Sequence, residues 1–282
     1  MTTITNFNIE EVITECSYKE DDVCLSDKLI SKIDEYIVEV QNESDPRKKI
    51  EVSKKVIGCG DQACIIDHMH KKKLINDHEY KGEMMNIKPS GPAVTKDWLN
   101  DLNIKEVLHR YNQKFRKRKG TSFYYFPYQM IDFMEFNTSF ARADWPQLME
   151  YYNTFGVVIN TDRWKTKGAG IHWFCLFIDA RKKPLITVEY FNSSGNRPLI
   201  EIVNWYHNVF ETSIESAKQG LTSQFIRAVD HEIQKDKHSC GVYCLFYIYY
   251  RLLGVSVEEF KSLTNTDAKM NEFRKFLFRT QD

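Results

Sequence analysis

Apolar positions change their spacing twice along this 282-residue chain. In the first stretch Leu29, Ile33, Ile37 and Val40 recur three or four residues apart, on one face of a helix, and Ser26 stands where an N-cap belongs. Ser44-Asp45-Pro46 opens a second helix that Gly58 can end, with a polar cap, a proline in the first turn and a glycine past the last. MNIKPSGPAV, Met85 to Val94, concentrates two prolines and a glycine and reads as a linker. It divides the chain into a lysine-rich helical arm, 1–88, and a larger domain, 89–282. Helical spacing returns from Trp98 to Phe115 through Leu102, Val107, Leu108 and Tyr111. The basic run KFRKRK, Lys114 to Lys119, then falls before Gly120, where cations complement the negative end of a helix dipole.

From Gly156 the period becomes that of strands: GVVIN, then HWFCLFI from His172 to Ile178, then PLITVEYF from Pro184 to Phe191. The last two runs, joined by the polar DARKK, read as an antiparallel hairpin. A helix from Leu199 to Phe210 and a strand SQFIRAV follow, then a helix opened by Cys240 with an unbroken apolar run behind it. Two more helices close the chain, the first with the capping-box pair Ser256 and Glu259.

Composition narrows the classes. With 42% hydrophobic and 13% aromatic residues the chain can bury a sizeable core, and 39 basic against 39 acidic residues give no net charge to draw a nucleic acid or a membrane surface. The longest apolar run, Val242 to Tyr250, is too short to cross a bilayer, and acidic residues occupy the place of a secretion signal's apolar block. Seven cysteines without a dense framework suit free thiols in a reducing compartment.

One thiol stands apart. Cys240 lies in the first turn of its helix, where the positive end of the macrodipole and a nearby imidazole can stabilise a thiolate below the free value of about 8.5. Gly241 keeps the approach to sulfur open, and Cys244, one turn deeper, belongs to the core. With the hairpin turn near residues 181–182, numbers summing to about 363 face one another, so His172 lies opposite Phe191 or Asn192, with opposed Cβ atoms about 5 Å apart. An imidazole and a carboxamide thus meet at one open end of a sheet. The loop HEIQKDKHS offers Gln234, whose carboxamide can join the backbone N–H of Cys240 in an oxyanion hole. His231 and His238 flank that loop, but nothing in the sequence orients either.

His172-Trp173 at a strand start, Asn192 at the end of the next, and Gln234-x5-Cys240-Gly241 opening a buried helix resemble the pattern of the SUMO and ubiquitin-like protein proteases and the adenovirus-type cysteine proteases. WLND, Trp98 to Asp101, is similar to the motif that opens the SUMO-protease catalytic domain. NTFGVVINTD, GIHWFCLFIDAR, VEYFNSSGNRP, FRKFLFR and, in the arm, DDVCLSDKL and GCGDQAC resemble segments of a viral branch that processes polyproteins, and this likeness runs through nearly the whole chain. The resemblance implies an α+β, papain-like core with a central mixed sheet flanked by helices and carrying the N-terminal arm. It implies a cysteine endopeptidase that matures viral structural polyproteins, with Cys240 as nucleophile, His172 as base and acid, Asn192 as third triad member and Gln234 in the oxyanion hole. Trp173 then closes a narrow channel that only glycine threads, so cleavage falls after Gly-Gly-Xaa. The expectation extends to a monomer without cofactor, without a metal and without a need for nucleic acid, acting in host cytoplasm and virion. One departure stands out: relatives usually carry Asp or Glu before the cysteine, whereas here Ser239 occupies that place, a residue that can still cap the helix.

Two other readings use the same chain. A host-directed deubiquitinase or SUMO protease would employ the same residues. A metal or nucleic-acid module in the arm would rest on Cys59-x4-Cys64-x3-His68-x-His70 and the adjacent lysines, ligand types that suit zinc at a spacing outside the usual structural patterns.

Overall fold

The computed structural model describes residues 23–94, 97–116, 120–166, 172–217 and 220–279. The chain forms two compact units, Met1–Ala93 with Lys275–Asp282, and Val94–Arg274.

The first unit is helical. It comprises α1 (Asp27–Tyr36), one 3-10 turn (Val38–Val40), α2 (Pro46–Ile57), α3 (Gln62–Lys71) and α4 (Asp77–Met85). Local signals set its ends as the sequence suggests: Ser26 accepts from the Leu29 N–H, Asp45 caps α2 with Pro46 in the first turn, and Gly58 closes it at φ 78°. Leu29, Ile33, Ile65, Ile66 and Met69 fill the interior. The proline-rich stretch after α4 is tied to the C-terminal residues, since Lys88 Nζ donates to the Lys275 carbonyl at 3.1 Å and Ser90 forms a bridge with Arg279. Lys275–Asp282 therefore groups with the arm and not, as the division at residue 88 has it, with the larger domain.

The second unit holds α5 (Asp101–Phe115), β1 (Phe123–Tyr125), β2 (Gln129–Met130), α6 (Trp145–Tyr151), β3 (Thr154–Asn160), β4 (Trp173–Asp179) and β5 (Leu185–Phe191). After these come α7 (Ile200–Trp205), α8 (Thr212–Ser216), β6 (Thr222–Arg227), α9 (Cys240–Leu253), α10 (Val257–Ser262) and α11 (Asp267–Leu277), whose last turn, from Lys275, is counted with the first unit. The helix expected from Leu199 to Phe210 is α7 continued through a π-helical stretch, Tyr206–Glu211, into α8. The last three residues of the basic run expected after α5 lie outside the described residues.

The sheet is mixed, in the order β1-β3-β4-β5-β6, with β2 also on β3. β3, β4 and β5 run antiparallel to their neighbours in turn, while β1 and β2 lie parallel to β3 and β6 parallel to β5. In the β4–β5 hairpin Cys175 faces Phe191 and Asp179 faces Thr187, which centres the turn on residue 183, later than expected. Pro184 has no N–H to give a ladder and belongs to the turn, while Asp179 joins the strand. A cluster of large rings, Trp145, Trp205, Phe140 and Phe210 among them, covers one side of the sheet. The apolar helix α9 packs on β3 and β4, with residues 240–252 all buried.

Candidate active site

The position of α9 is fixed at its far end by charge. Arg251 donates through Nε and Nη2 to both carboxylate oxygens of Glu189 on β5, at 2.7 and 2.8 Å, and through Nη2 to Asp179 on β4 at 3.0 Å. Tyr247 adds a 2.6 Å bond to Glu189. Burial alone would pull the Arg251 guanidinium down, but these anions raise it well above its ordinary value. A bidentate pair of this kind allows one rotation and one translation of the helix, so the near end, where Cys240 begins α9, is placed rigidly at the sheet.

At that end His172, the residue before β4, and Asn192, the residue after β5, meet. His172 Nε2 lies 2.7 Å from Asn192 Oδ1. The carboxamide's orientation follows from its other partners. Oδ1 also accepts from the Ser194 N–H at 3.0 Å and from Ser194 Oγ at 2.8 Å, and Nδ2 donates to Tyr190 OH at 2.9 Å. A backbone N–H can only donate, so Oδ1 is the acceptor and His172 Nε2 must carry the proton. Nδ1 is thereby the basic nitrogen. Burial lowers the pKa of His172 and the bond to Asn192 raises it in part, leaving it below the ordinary 6.5. The sequence reading paired these two residues correctly in space although its register was offset.

Cys240 is 2% exposed. Burial pushes its thiol up to about 11, against backbone N–H groups of Trp173, Gly241 and Cys240 itself that favour the thiolate. This corrects the expectation of a thiol held below its free value: desolvation outweighs the helix end. Cys240 is nonetheless next to the residue that follows His172 in the chain, because the Trp173 backbone N–H reaches it.

Ser239 does not cap α9. Its hydroxyl donates to Asp236 Oδ2 at 2.6 Å, and Asp236 Oδ1 accepts from the His238 and Ser239 N–H groups at 3.1 and 2.9 Å. A carboxylate is thus held beside the start of α9 from three residues upstream of Ser239, and hydrogen bonding from Ser239 and His238 holds the Asp236 carboxyl below its ordinary value despite burial. Asp267 braces the same loop, accepting from the Lys235 and Asp236 N–H groups and from Tyr243 OH. Asp236 was not singled out from the sequence; an aspartate two and three residues before N–H groups that open a helix is an Asx-turn signal that would have found it.

Gln234 is buried, but its carboxamide is engaged: Oε1 accepts from Ser193 Oγ at 2.6 Å and Nε2 donates to the Asp236 carbonyl at 2.9 Å. Its observed work is to tie the loop before α9 to the turn after β5. Trp173 is 6% exposed, and its Nε1 donates to the Leu99 carbonyl at 3.0 Å. Leu99 also lies against Gly241, where an added Cβ would sit 3.1 Å from Leu99 Cβ, so the WLND stretch packs closely on the residue after Cys240 and a larger residue there would have to push Leu99 aside by a few tenths of an ångström. Of the flanking histidines, His231 pairs with Asp230 on the surface and His238 Nε2 lies 3.1 Å from Asp236 Oδ2. Cys244 is fully buried core, as expected.

The cysteine–histidine group of the arm has other partners. Cys59 and Cys64 form a disulfide across the turn that Asp61 caps, with Cα atoms 5.5 Å apart, which corrects the expectation of free thiols there. His68 lies against Tyr36, and His70 pairs with Asp77. Among the described residues no cluster of three His, Cys, Asp or Glu is arranged for a metal, and no helix is long and apolar enough to cross a membrane.

A thiol at a helix N-terminus, an imidazole before a strand and a carboxamide after the next, on a mixed sheet, are groups that suit a cysteine protease. Residues 156–282 match the C-terminal catalytic domain of the Ulp1 protease family. The SUMO-1 cysteine protease of a Kenyan pig isolate of African swine fever virus is 31% identical over 243 residues, covering 80% of this chain and 85% of the relative. The cysteine protease of a tick isolate from Malawi matches to the same extent. The crystal structure of the African swine fever virus protease superimposes with a TM-score of 0.72 at 26% identity, over 96% of this chain and 99% of that one. The chain belongs to the Ulp1 family and is a cysteine protease.

Proposed function

We propose that this protease matures viral structural polyproteins by cutting after Gly-Gly-Xaa. Cys240 attacks the scissile carbonyl as its proton passes to His172 Nδ1, and His172 returns that proton to the leaving amine. Asn192 holds the imidazole in the Nε2–H tautomer. The observation that carries this reading is the 2.7 Å His172–Asn192 bond, which leaves Nδ1 as the base at the sheet end where α9 presents Cys240. The oxyanion donors the geometry supports best are the backbone N–H groups at the uncapped start of α9, with Gln234 bracing the loop that carries them. The indole of Trp173, fixed through Leu99 beside the nucleophile, favours a glycine-lined approach of the substrate strand. No cofactor enters these steps. The reading places a monomer at viral assembly sites in the host cytoplasm and in the virion.

The test is incubation of candidate viral polyprotein with the wild-type chain and with Cys240→Ala, followed by mapping of new N-termini. New termini after Gly-Gly-Xaa are expected with the wild type alone, and cutting by the alanine variant would remove Cys240 from its role. The name of the Kenyan-isolate relative favours a second reading, hydrolysis of SUMO or ubiquitin conjugates. It predicts the reverse preference: efficient turnover of folded conjugates and none of a short Gly-Gly-Ala peptide.

A further inference from the structure

Arg274 on α11 is 1% exposed. Its Nη2 donates to the His238 carbonyl at 2.8 Å, two residues before Cys240. Its Nε and Nη1 are buried and find no hydrogen-bond partner among the described residues. A strap that only held the His238 carbonyl would need one N–H and no charge, and burying a guanidinium with idle donors destabilises the fold unless the charge has a use.

We infer that Arg274 is a positioning residue of the nucleophile: anchored on the His238 carbonyl, its guanidinium keeps a fixed positive charge behind the start of α9 and stabilises the Cys240 thiolate. This rests on Cys240 being the nucleophile. In the step concerned the S–H bond of Cys240 breaks, the proton goes to His172 Nδ1 and the electron pair stays on sulfur; Arg274 neither gains nor loses a proton. Burial pulls the Arg274 guanidinium below its ordinary value, and the ionisable groups facing it, Asp236, Cys240 and Asp97, offset that pull in part. The need for such a charge is plain at the site, because burial moves thiol and imidazole in opposite directions, both away from the thiolate–imidazolium pair.

The test reads the sulfur itself. Carboxamidomethylation of Cys240 by iodoacetamide is followed against pH by mass spectrometry in the full chain, for wild type, Arg274→Met and Arg274→Lys, together with thermal unfolding, kcat and KM. The methionine variant should raise the pH midpoint of alkylation by about one pH unit. It should lower kcat about tenfold at unchanged KM, the rate equivalent of one such unit. The lysine variant should keep the wild-type midpoint. A methionine variant that unfolds at the wild-type temperature and alkylates with the wild-type profile overturns the inference. If the methionine variant does not fold, the lysine variant decides: a wild-type midpoint supports the role of charge, and a midpoint raised by a full unit overturns it. Alkylation does not require any substrate to be cut, so failure of the polyprotein reading would appear separately, as uncut polyprotein with the wild-type chain.

Discussion

Replacing Asn192 by alanine and by aspartate should move the acid side of the activity profile in opposite directions. The alanine variant leaves His172 Nε2–H without its acceptor in a largely buried place and removes the one interaction that raises the imidazole's pKa. An unsatisfied buried donor costs about 1–3 kcal/mol. If that is lost from the orientation of the ring in the transition state, kcat falls roughly 5- to 150-fold. The acid limb, already below 6.5 because burial holds the imidazole down, moves to still lower pH. Aspartate keeps an acceptor for Nε2 and for Ser194. Tyr190 OH, which now receives from Asn192 Nδ2 and donates to the Arg197 carbonyl at a long 3.4 Å, can turn its proton to the new carboxylate oxygen, giving up a weak bond. The added negative charge stabilises the imidazolium, so the acid limb moves up while much of the plateau rate is kept. The assay is kcat/KM against pH from 5 to 9 on a Gly-Gly-containing fluorogenic peptide. Two variants whose acid limbs coincide with the wild type would refute the argument that Asn192 sets the tautomer and basicity of His172.

Arg251→Met strands the carboxylate of Glu189, 1% exposed, and should lower stability by about 3–5 kcal/mol in urea titration; a loss below about 1 kcal/mol would show the pair to be dispensable. Ser239→Asp sets two carboxylates side by side and should destabilise, whereas adding Asp236→Asn should recover about 1–3 kcal/mol of that loss; simple additivity of the two would deny the coupling. At pH 7 iodoacetamide should modify Cys240 more slowly than a free cysteine peptide, because burial has moved the thiol to about 11, and faster reaction would show that the resting site is already ionised. Neutral His172 is the form the fold prefers, so its share of stability is present above the unfolded value near 6.5 and is lost as pH falls below it; in His172→Gln, stability measured between pH 7 and 5 should fall less steeply than in the wild type.

What could be read from the sequence was set by neighbours in the chain. The caps at Ser26, at Asp45 with Gly58 and at Ser256 with Glu259 hold because a cap is a contract among four or five residues. The meeting of His172 and Asn192 was legible for a similar reason, the hairpin being short enough that a register offset of a few residues still leaves its two outer ends together. Helix α4 was missed because it buries none of its side chains, so no apolar stripe marks it. β1 and β2, three and two residues long, are strands only by virtue of β3 beside them. The thiol's basicity was misjudged because the helix end that lowers it is local and visible, whereas the burial that raises it comes from the whole fold.

The uncapped start of α9 is a consequence of what the site needs. A serine cap would contribute about 1 kcal/mol by accepting from N–H groups of the first turn. Those are the groups that here face the sulfur of Cys240, and a cap would withdraw them from a developing thiolate or oxyanion. Asp236 draws the Ser239 hydroxyl away and satisfies the His238 and Ser239 N–H groups instead, so the loop is held without spending the donors of Cys240 and Gly241. The helix tolerates this because its stability lies elsewhere: residues 240–252 are buried throughout, and a single fully buried large apolar side chain contributes about 1.5–3 kcal/mol, more than the cap forgone. With Arg251 and Glu189 fixing the other end, α9 is stabilised along its length and at its far end, and its near end is free to serve chemistry.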